Sequence, residues 1–253
     1  VIETTREAQL SAAFAKIAKT LTTDFDLVDL LQTLAEECAA ILDVDAAGIM
    51  LVDSTGELQL IVSTSEEASL VEVMALNAGS GPCVDCFTTG EPVTVGDIAN
   101  SGGRWPEFAQ ESARTGYKSF HATPLRLRNR VIGVLNLFGT EVGALNDQDI
   151  AVAQTLSDVS AIGLLQEPNI ADTMIIARQL QQAINARILI EQAKGVVAQL
   201  TKVPMTDAFS LLRAYAREHD MTLKAASQAA IDRDVTATAL DELRAKAEGS
   251  DAQ

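Results

Sequence analysis

Five cations in the last third of the chain, Arg187, Lys194, Arg213, Arg217 and Lys224, are placed for anion binding rather than for acid–base work. Arg187, Glu191 and Lys194 fall at i, i+4 and i+7 and share one stripe of a helix. Arg213 and Arg217 fall at i, i+4 and share another. Guanidinium and ammonium groups on such stripes contact phosphates, and Arg can also read base edges through paired hydrogen bonds. Isolated Lys and Arg are usually ordinary solvated faces. Here Gly195 follows Lys194 directly, and a glycine lets a ligand or another backbone come close.

The other chemistry-bearing residues form no catalytic set. Cys83-Val84-Asp85-Cys86 is a single CxxC, and Cys38 is distant in sequence. A zinc site needs two further ligands, and His121 and His219 lie apart with no evident partner. A structural role for the cysteines ranks first, a redox switch second and a metal third. Asp53 follows an apolar run as a phosphoacceptor would, but an Asp-Ser-Thr-Gly turn explains it better. There is no Ser-His-Asp set in a nucleophile elbow, no phosphate loop ending in Gly-Lys-Ser/Thr, and no HExxH.

The cations need helices to carry them. In RILIEQAKGVVAQL, residues 187–200, the apolar positions Ile190, Ala193, Val197 and Leu200 recur with helical period, giving a face to bury beside a charged face to show. After Val203-Pro204, Thr206 suits the start of a second helix with Ala208, Leu211, Leu212 and Tyr215 inward. A third begins near Thr222, with Leu223, Ala226 and Ala230 inward. Short helices of this kind close a core only by packing together.

The runs RILIEQAKG, DAFSLLRAYARE and TLKAASQAAI are similar in order and spacing to the ANTAR domain, including its Ala-Lys-Gly and Leu-Arg signatures. Where many members carry a hydrophobic residue, Leu and Met after the glycine, this chain has Val196-Val197-Ala198, apolar for apolar. The resemblance implies a three-helix RNA-binding module of transcription antiterminators, which recognises paired six-nucleotide hairpin loops as a dimer. Carried onto this sequence, the RNA-binding set is Ala193, Lys194, Gly195 and Arg213 from the signatures. Arg187, Arg217, Thr222 and Lys224 join it on helix geometry. Lys194→Ala is then expected to weaken RNA binding with little loss of fold. Unpaired loops are the sites where proteins read RNA bases, because the duplex major groove is too narrow.

Earlier in the chain, Leu10, Phe14, Ile17 and Leu21, then Leu27 to Cys38, predict helices over residues 1–42, the first suited to pairing. AGIMLVD and ELQLIVS around Asp53-Ser54-Thr55-Gly56 predict a hairpin. Val71–Leu76 suits a further helical turn, and the glycines and proline of Gly79–Cys83 predict an irregular stretch. Val93–Val95 is a short strand, and a helix opens at Trp105-Pro106 and ends near Gly116. Ser119–Leu127 and Arg130–Phe138 predict two antiparallel strands joined at Arg128-Asn129. These segments make an α+β domain with an antiparallel sheet flanked by helices.

The runs GPCVDCFTTGEPVTVGDI, RWPEF, GYKSFHATPL and RVIGVLNLF resemble a GAF domain of the type found beside ANTAR in actinobacterial regulators. The resemblance implies a pocket on one sheet face, used across the class for small ligands, chromophores or redox groups, or simply for dimerisation; an unknown small ligand and an empty pocket both stay open. No cofactor and no metal is expected. The organisation expected is a helix over 1–26, a GAF-like sensor over 27–165, a helical coiled-coil-like connector over 166–186 with a hinge at Pro168, an ANTAR-like three-helix bundle over 187–246, and a disordered tail over 247–253. Val152, Leu156, Val159 and Ile162, then Ile176, Leu180, Ala183 and Ile184, give the connector its heptad-like spacing.

The net charge of −16 is unevenly spread. Residues 1–169 hold 9 Lys+Arg against 24 Asp+Glu, residues 170–253 hold 10 against 11, and Arg178 to Arg233 hold 8 against 5. A mildly basic core suits a compact RNA loop better than a long duplex, and a second subunit doubles its cations. No apolar run approaches the roughly 18–20 residues of a membrane span, and no basic-then-apolar leader opens the chain. A chain that opens on Val1 leads one to expect a preceding segment. The expectation is a cytoplasmic homodimer that binds RNA without catalysis. The alternative is a ligand-sensing dimeric signalling protein whose output is protein–protein interaction.

Overall fold

The structure is a computed structural model. It describes residues 6–22, 26–127, 130–163 and 173–250, and divides into two compact units, Val1–Ile184 and Asn185–Gln253.

The first unit begins with two helices, α1 (Arg6–Thr22) and α2 (Leu27–Ile41). Asp26 caps α2 by accepting from the Val28 backbone N–H at 2.9 Å. The pairing expected of the first helix is made within the chain: α1 lies on α2, Ala13 and Ile17 are fully buried, and Lys16 Nζ sits 2.6 Å from Glu37 Oε1.

Five strands follow, β1 (Ala46–Val52), β2 (Leu58–Ser63), β3 (Val93–Val95), β4 (Ser119–Leu127) and β5 (Arg130–Gly139). They form one antiparallel sheet in the order β2-β1-β5-β4-β3. Asp53 builds the β1–β2 turn: its Oδ1 accepts from the Thr55 N–H and hydroxyl and from the Glu57 N–H, and its Oδ2 from Gln59. The expected join at Arg128-Asn129 lies outside the described residues.

Alternation along the strands sends side chains to two faces. One face carries Ala46, Met50, Phe120, Ala122, Val134 and Phe138. It is covered by α3 (Glu66–Ala78), α4 (Pro82–Thr89) and α5 (Pro106–Thr115). Phe108 meets Phe120 edge to face at 5.1 Å, and Phe120 meets Phe138 at 5.0 Å, so aromatic rings fill this layer. On the other face α2 packs against β1, and α6 (Asp147–Gly163) against β4.

Gly79–Cys83, expected to be irregular, is so only over Gly79–Gly81, which separates two helices. Gly79 ends α3 at φ 60°, and Pro82 opens α4, where its missing N–H costs nothing. The CxxC therefore lies on a helix.

In the second unit, residues 185–201 of α7 (Thr173–Thr201) join α8 (Met205–Glu218), α9 (Leu223–Ile231) and α10 (Ala237–Ser250). The core holds Ile190, Ala193 and Val197, then Ala208, Leu211 and Leu212, then Leu223, Ala226 and Ala230, with Val235, Leu240 and Leu243. Leu200, expected inward, is 39% exposed. Pro204, not Thr206, stands at the N-cap of α8.

Two expected boundaries change, at the end of the connector and at the tail. Pro168 and the rest of 164–172 lie outside the described residues. From Thr173 the helix runs without a break to Thr201, so connector residues 173–186 and the helix from Arg187 are one element. A fourth helix, α10, packs on α8 through its Leu240 and Leu243 stripe. It continues to Ser250, so residues 247–250 of the expected tail are helical.

Candidate nucleic-acid interface

The eight residues expected to bind RNA fall into three environments. Arg217, Lys224 and Gly195 are exposed; Arg187, Arg213 and Thr222 are half-buried; Ala193 and Lys194 are buried. Lys194 is the main departure, because its helical stripe predicted a solvent-facing ammonium. It is 5% exposed. Its Nζ sits 3.0 Å from Glu191 Oε2 and 5.8 Å from the centroid of the Phe209 ring on α8. The lysine stem packs under α8 while its charge is held by the carboxylate one turn back.

Gly195 lies at the surface of α7, and a Cβ built there would meet nothing within 4 Å. Packing inside the unit therefore does not require a glycine. An interior helical glycine costs roughly 0.5–1 kcal/mol relative to alanine. The site gives up helix stability and gains an open strip of backbone.

Arg217, Thr222 and Lys224 lie along the corner between α8 and α9. Arg217 lies in the last turn of α8. The chain then reverses through Asp220 at φ 51°, with the Asp220 N–H donating to the Arg217 carbonyl and the Met221 N–H to the Ala216 carbonyl. Thr222 opens α9, its hydroxyl accepting from the Ala225 N–H at 3.1 Å. Lys224 sits in the first turn, where unpaired N–H groups already favour anions.

Two residues of this corner stand differently from the sequence reading, which took Tyr215 as inward and His219 as without a partner. Tyr215 is only half-buried, and the exposed His219 stacks on it, ring centroids 4.0 Å apart and planes 23° apart. Their i, i+4 spacing carried the signal. Phe209 was missed because its role depends on where Lys194 lies.

In the first unit the described cysteines and His121 are buried. Burial pushes the Cys83 and Cys86 thiols up to about 12 and raises Cys38 further still. All three are free thiols and hold their protons at neutral pH, which disfavours the redox reading. His121 lies between hydroxyls, Nδ1 2.8 Å from Thr94 Oγ1 and Nε2 2.9 Å from Thr123 Oγ1. Burial pushes it down to about 4. Beneath α3, the Asn136 side-chain amide donates to Glu72 Oε1 at 2.7 Å within the layer the rings fill. An open cavity of about 400 Å³ at one end of the sheet is lined by Asp43, Asp45, His121, Thr140 and Glu141. Among the described residues no group of three or more His, Cys, Asp or Glu could hold a metal ion, and no helix is long and apolar enough to cross a membrane.

The GAF domain family matches residues 26–164 and the ANTAR domain family residues 178–231. The chain belongs to the GAF–ANTAR regulators. GAF domains are sensor modules and ANTAR domains are RNA-binding antitermination modules. The ANTAR match takes in all eight residues above. Among solved structures, the GAF–ANTAR chain is similar to the GAF domain of a phosphoenolpyruvate-protein phosphotransferase from Coxiella burnetii. The identity is 18%, the match covers 62% of this chain and 92% of that one, and the TM-score is 0.49. For the corresponding domain from Acinetobacter the values are 18%, 61%, 91% and 0.47. For free methionine-R-sulfoxide reductase from Neisseria meningitidis they are 17%, 71%, 90% and 0.45. No curated protein matches the chain.

Proposed function

We propose that this GAF–ANTAR regulator acts in the cytoplasm as a homodimer on leader transcripts that carry two hairpins with six-nucleotide loops. Each subunit takes one loop, which keeps the terminator hairpin from forming. The GAF unit conditions this activity, and the output is binding rather than catalysis. Arg217 and Lys224 reach the phosphates, and Arg187 and Arg213 add partly buried guanidinium groups. Lys194 and Ala193 support the face from within, and Thr222 holds the start of α9.

The observation that carries this reading is Gly195. A surface helix position with open space above it gains from alanine unless something must approach the backbone. Gly195→Ala is expected to raise stability by about 0.5–1 kcal/mol in chemical denaturation. It is expected at the same time to weaken binding to a two-hairpin RNA at moderate salt. Unchanged RNA affinity in the stabilised variant would remove the approach from this face.

A further inference from the structure

The Tyr215–His219 stack closes α8 at the corner leading into α9, within the stretch proposed to bind RNA. The His219 ring is on the outside, exposed, over a half-buried Tyr215. The orientation of the imidazole is fixed. Its Nδ1 lies 2.9 Å from the Tyr215 carbonyl oxygen, and a carbonyl only accepts, so Nδ1 carries the proton and Nε2 is left as the acceptor of the neutral ring. The Tyr215 carbonyl also takes the His219 backbone N–H at 3.1 Å. The corner closing α8 then holds Met221 back on Ala216. The outcome is a flat ring with one face on tyrosine, the other open to solvent, and little freedom to lose.

Arg217 is two residues before this ring and Lys224 five residues after it, both exposed. From His219 to the capping Thr222 the chain can span at most about 11 Å. An exposed aromatic plane is what an unpaired base stacks on when a protein holds single-stranded RNA, while cations elsewhere on the surface meet the phosphates.

We propose that His219, backed by Tyr215, is a stacking platform for one unpaired base of the RNA loop. The platform deepens the RNA reading above and rests on it. It adds a contact that is indifferent to phosphate charge, and it assigns the exposed histidine a partner of defined chemistry, a nucleobase.

The test uses the full chain and a two-hairpin RNA in which 2-aminopurine replaces each loop base in turn. With the wild-type protein, fluorescence at one loop position is quenched on binding. His219→Ala is expected to bind about 10-fold more weakly, with an unchanged slope of log affinity against log salt, and to lose that quenching. His219→Phe restores both, which separates stacking from charge and from damage to the fold. Tight binding with no loop position quenched, or His219→Ala binding as tightly as the wild type, overturns the platform and leaves the RNA reading standing. No binding by the wild-type protein overturns both.

Discussion

A lysine ammonium withdrawn from water needs a counter-charge, and at Lys194 that charge is the Glu191 carboxylate, itself 42% exposed. Because the glutamate can return to water, truncating the lysine leaves no stranded ion. What is lost is the stem under α8 and the pair. Lys194→Ala is expected to destabilise the protein by about 1–2 kcal/mol, read from the denaturant midpoint. Lys194→Met, close in volume, recovers most of it, and an unshifted midpoint for the alanine variant would contradict a packing role. This reverses the expectation that Lys194→Ala would spare the fold. The Ala-Lys-Gly signature was legible at 193–195, but burial was not, because the ring closing over Lys194 comes from Phe209 on another helix. His121 gives a second test. Its folded pKa is about 4 against an ordinary 6.5, so between those values the unfolded chain binds a proton that the fold refuses. Stability therefore falls as pH drops from 6.5 to about 4 and this contribution then levels off. His121→Gln is expected to flatten that part of the profile in pH-dependent unfolding, and an unchanged slope would rule the residue out. Asp53 acts lower. Burial raises its pKa, but hydrogen bonds from Thr55, Glu57 and Gln59 outweigh this and bring it to about 2, so its contribution is full above about 3.8 and lost as pH falls toward 2.

Among the elements, those whose periodicity agrees with their burial were readable. The hairpin at Asp53–Gly56, the strands at 119–127 and 130–139, the helix closed by Gly116 and the stripe of α8 all follow the residue pattern. Helix α3 does not. Its Leu70, Val73 and Met74 are 55%, 38% and 40% exposed while Glu72 is 1% exposed, the reverse of what hydropathy implies. The reason lies on the sheet: Gly48 is paired with Asn136 in register, and the space above this glycine holds the Glu72 carboxylate that Asn136 bonds. A Cβ on Gly48 would collide with that carboxylate. Gly48→Ala is accordingly expected to cost about 1–3 kcal/mol, measured by thermal or denaturant unfolding, and wild-type stability in this variant would contradict the packing described. Helix α4 was missed because Gly81-Pro82 reads as a breaker, although proline in the first turn is a helix-opening signal. Helix α10 was missed because its stripe consists of only Leu240 and Leu243 among small and charged residues.

At the scale of the molecule, the acidic charge is concentrated before residue 170, while the stretch matched by ANTAR carries more cations than anions. That imbalance is small for a nucleic-acid binder. On the proposed reading it suits a partner that offers a few phosphates and some unpaired bases to each subunit, with affinity that depends on engaging two subunits at once. The most direct measurement is binding of the full chain to an RNA with two hexaloop hairpins and to an RNA with one, across a salt series. The account predicts much tighter binding to the paired RNA, with a slope of log affinity against log salt about twice that of the single hairpin. Equal affinity and equal slope for the two RNAs would contradict it.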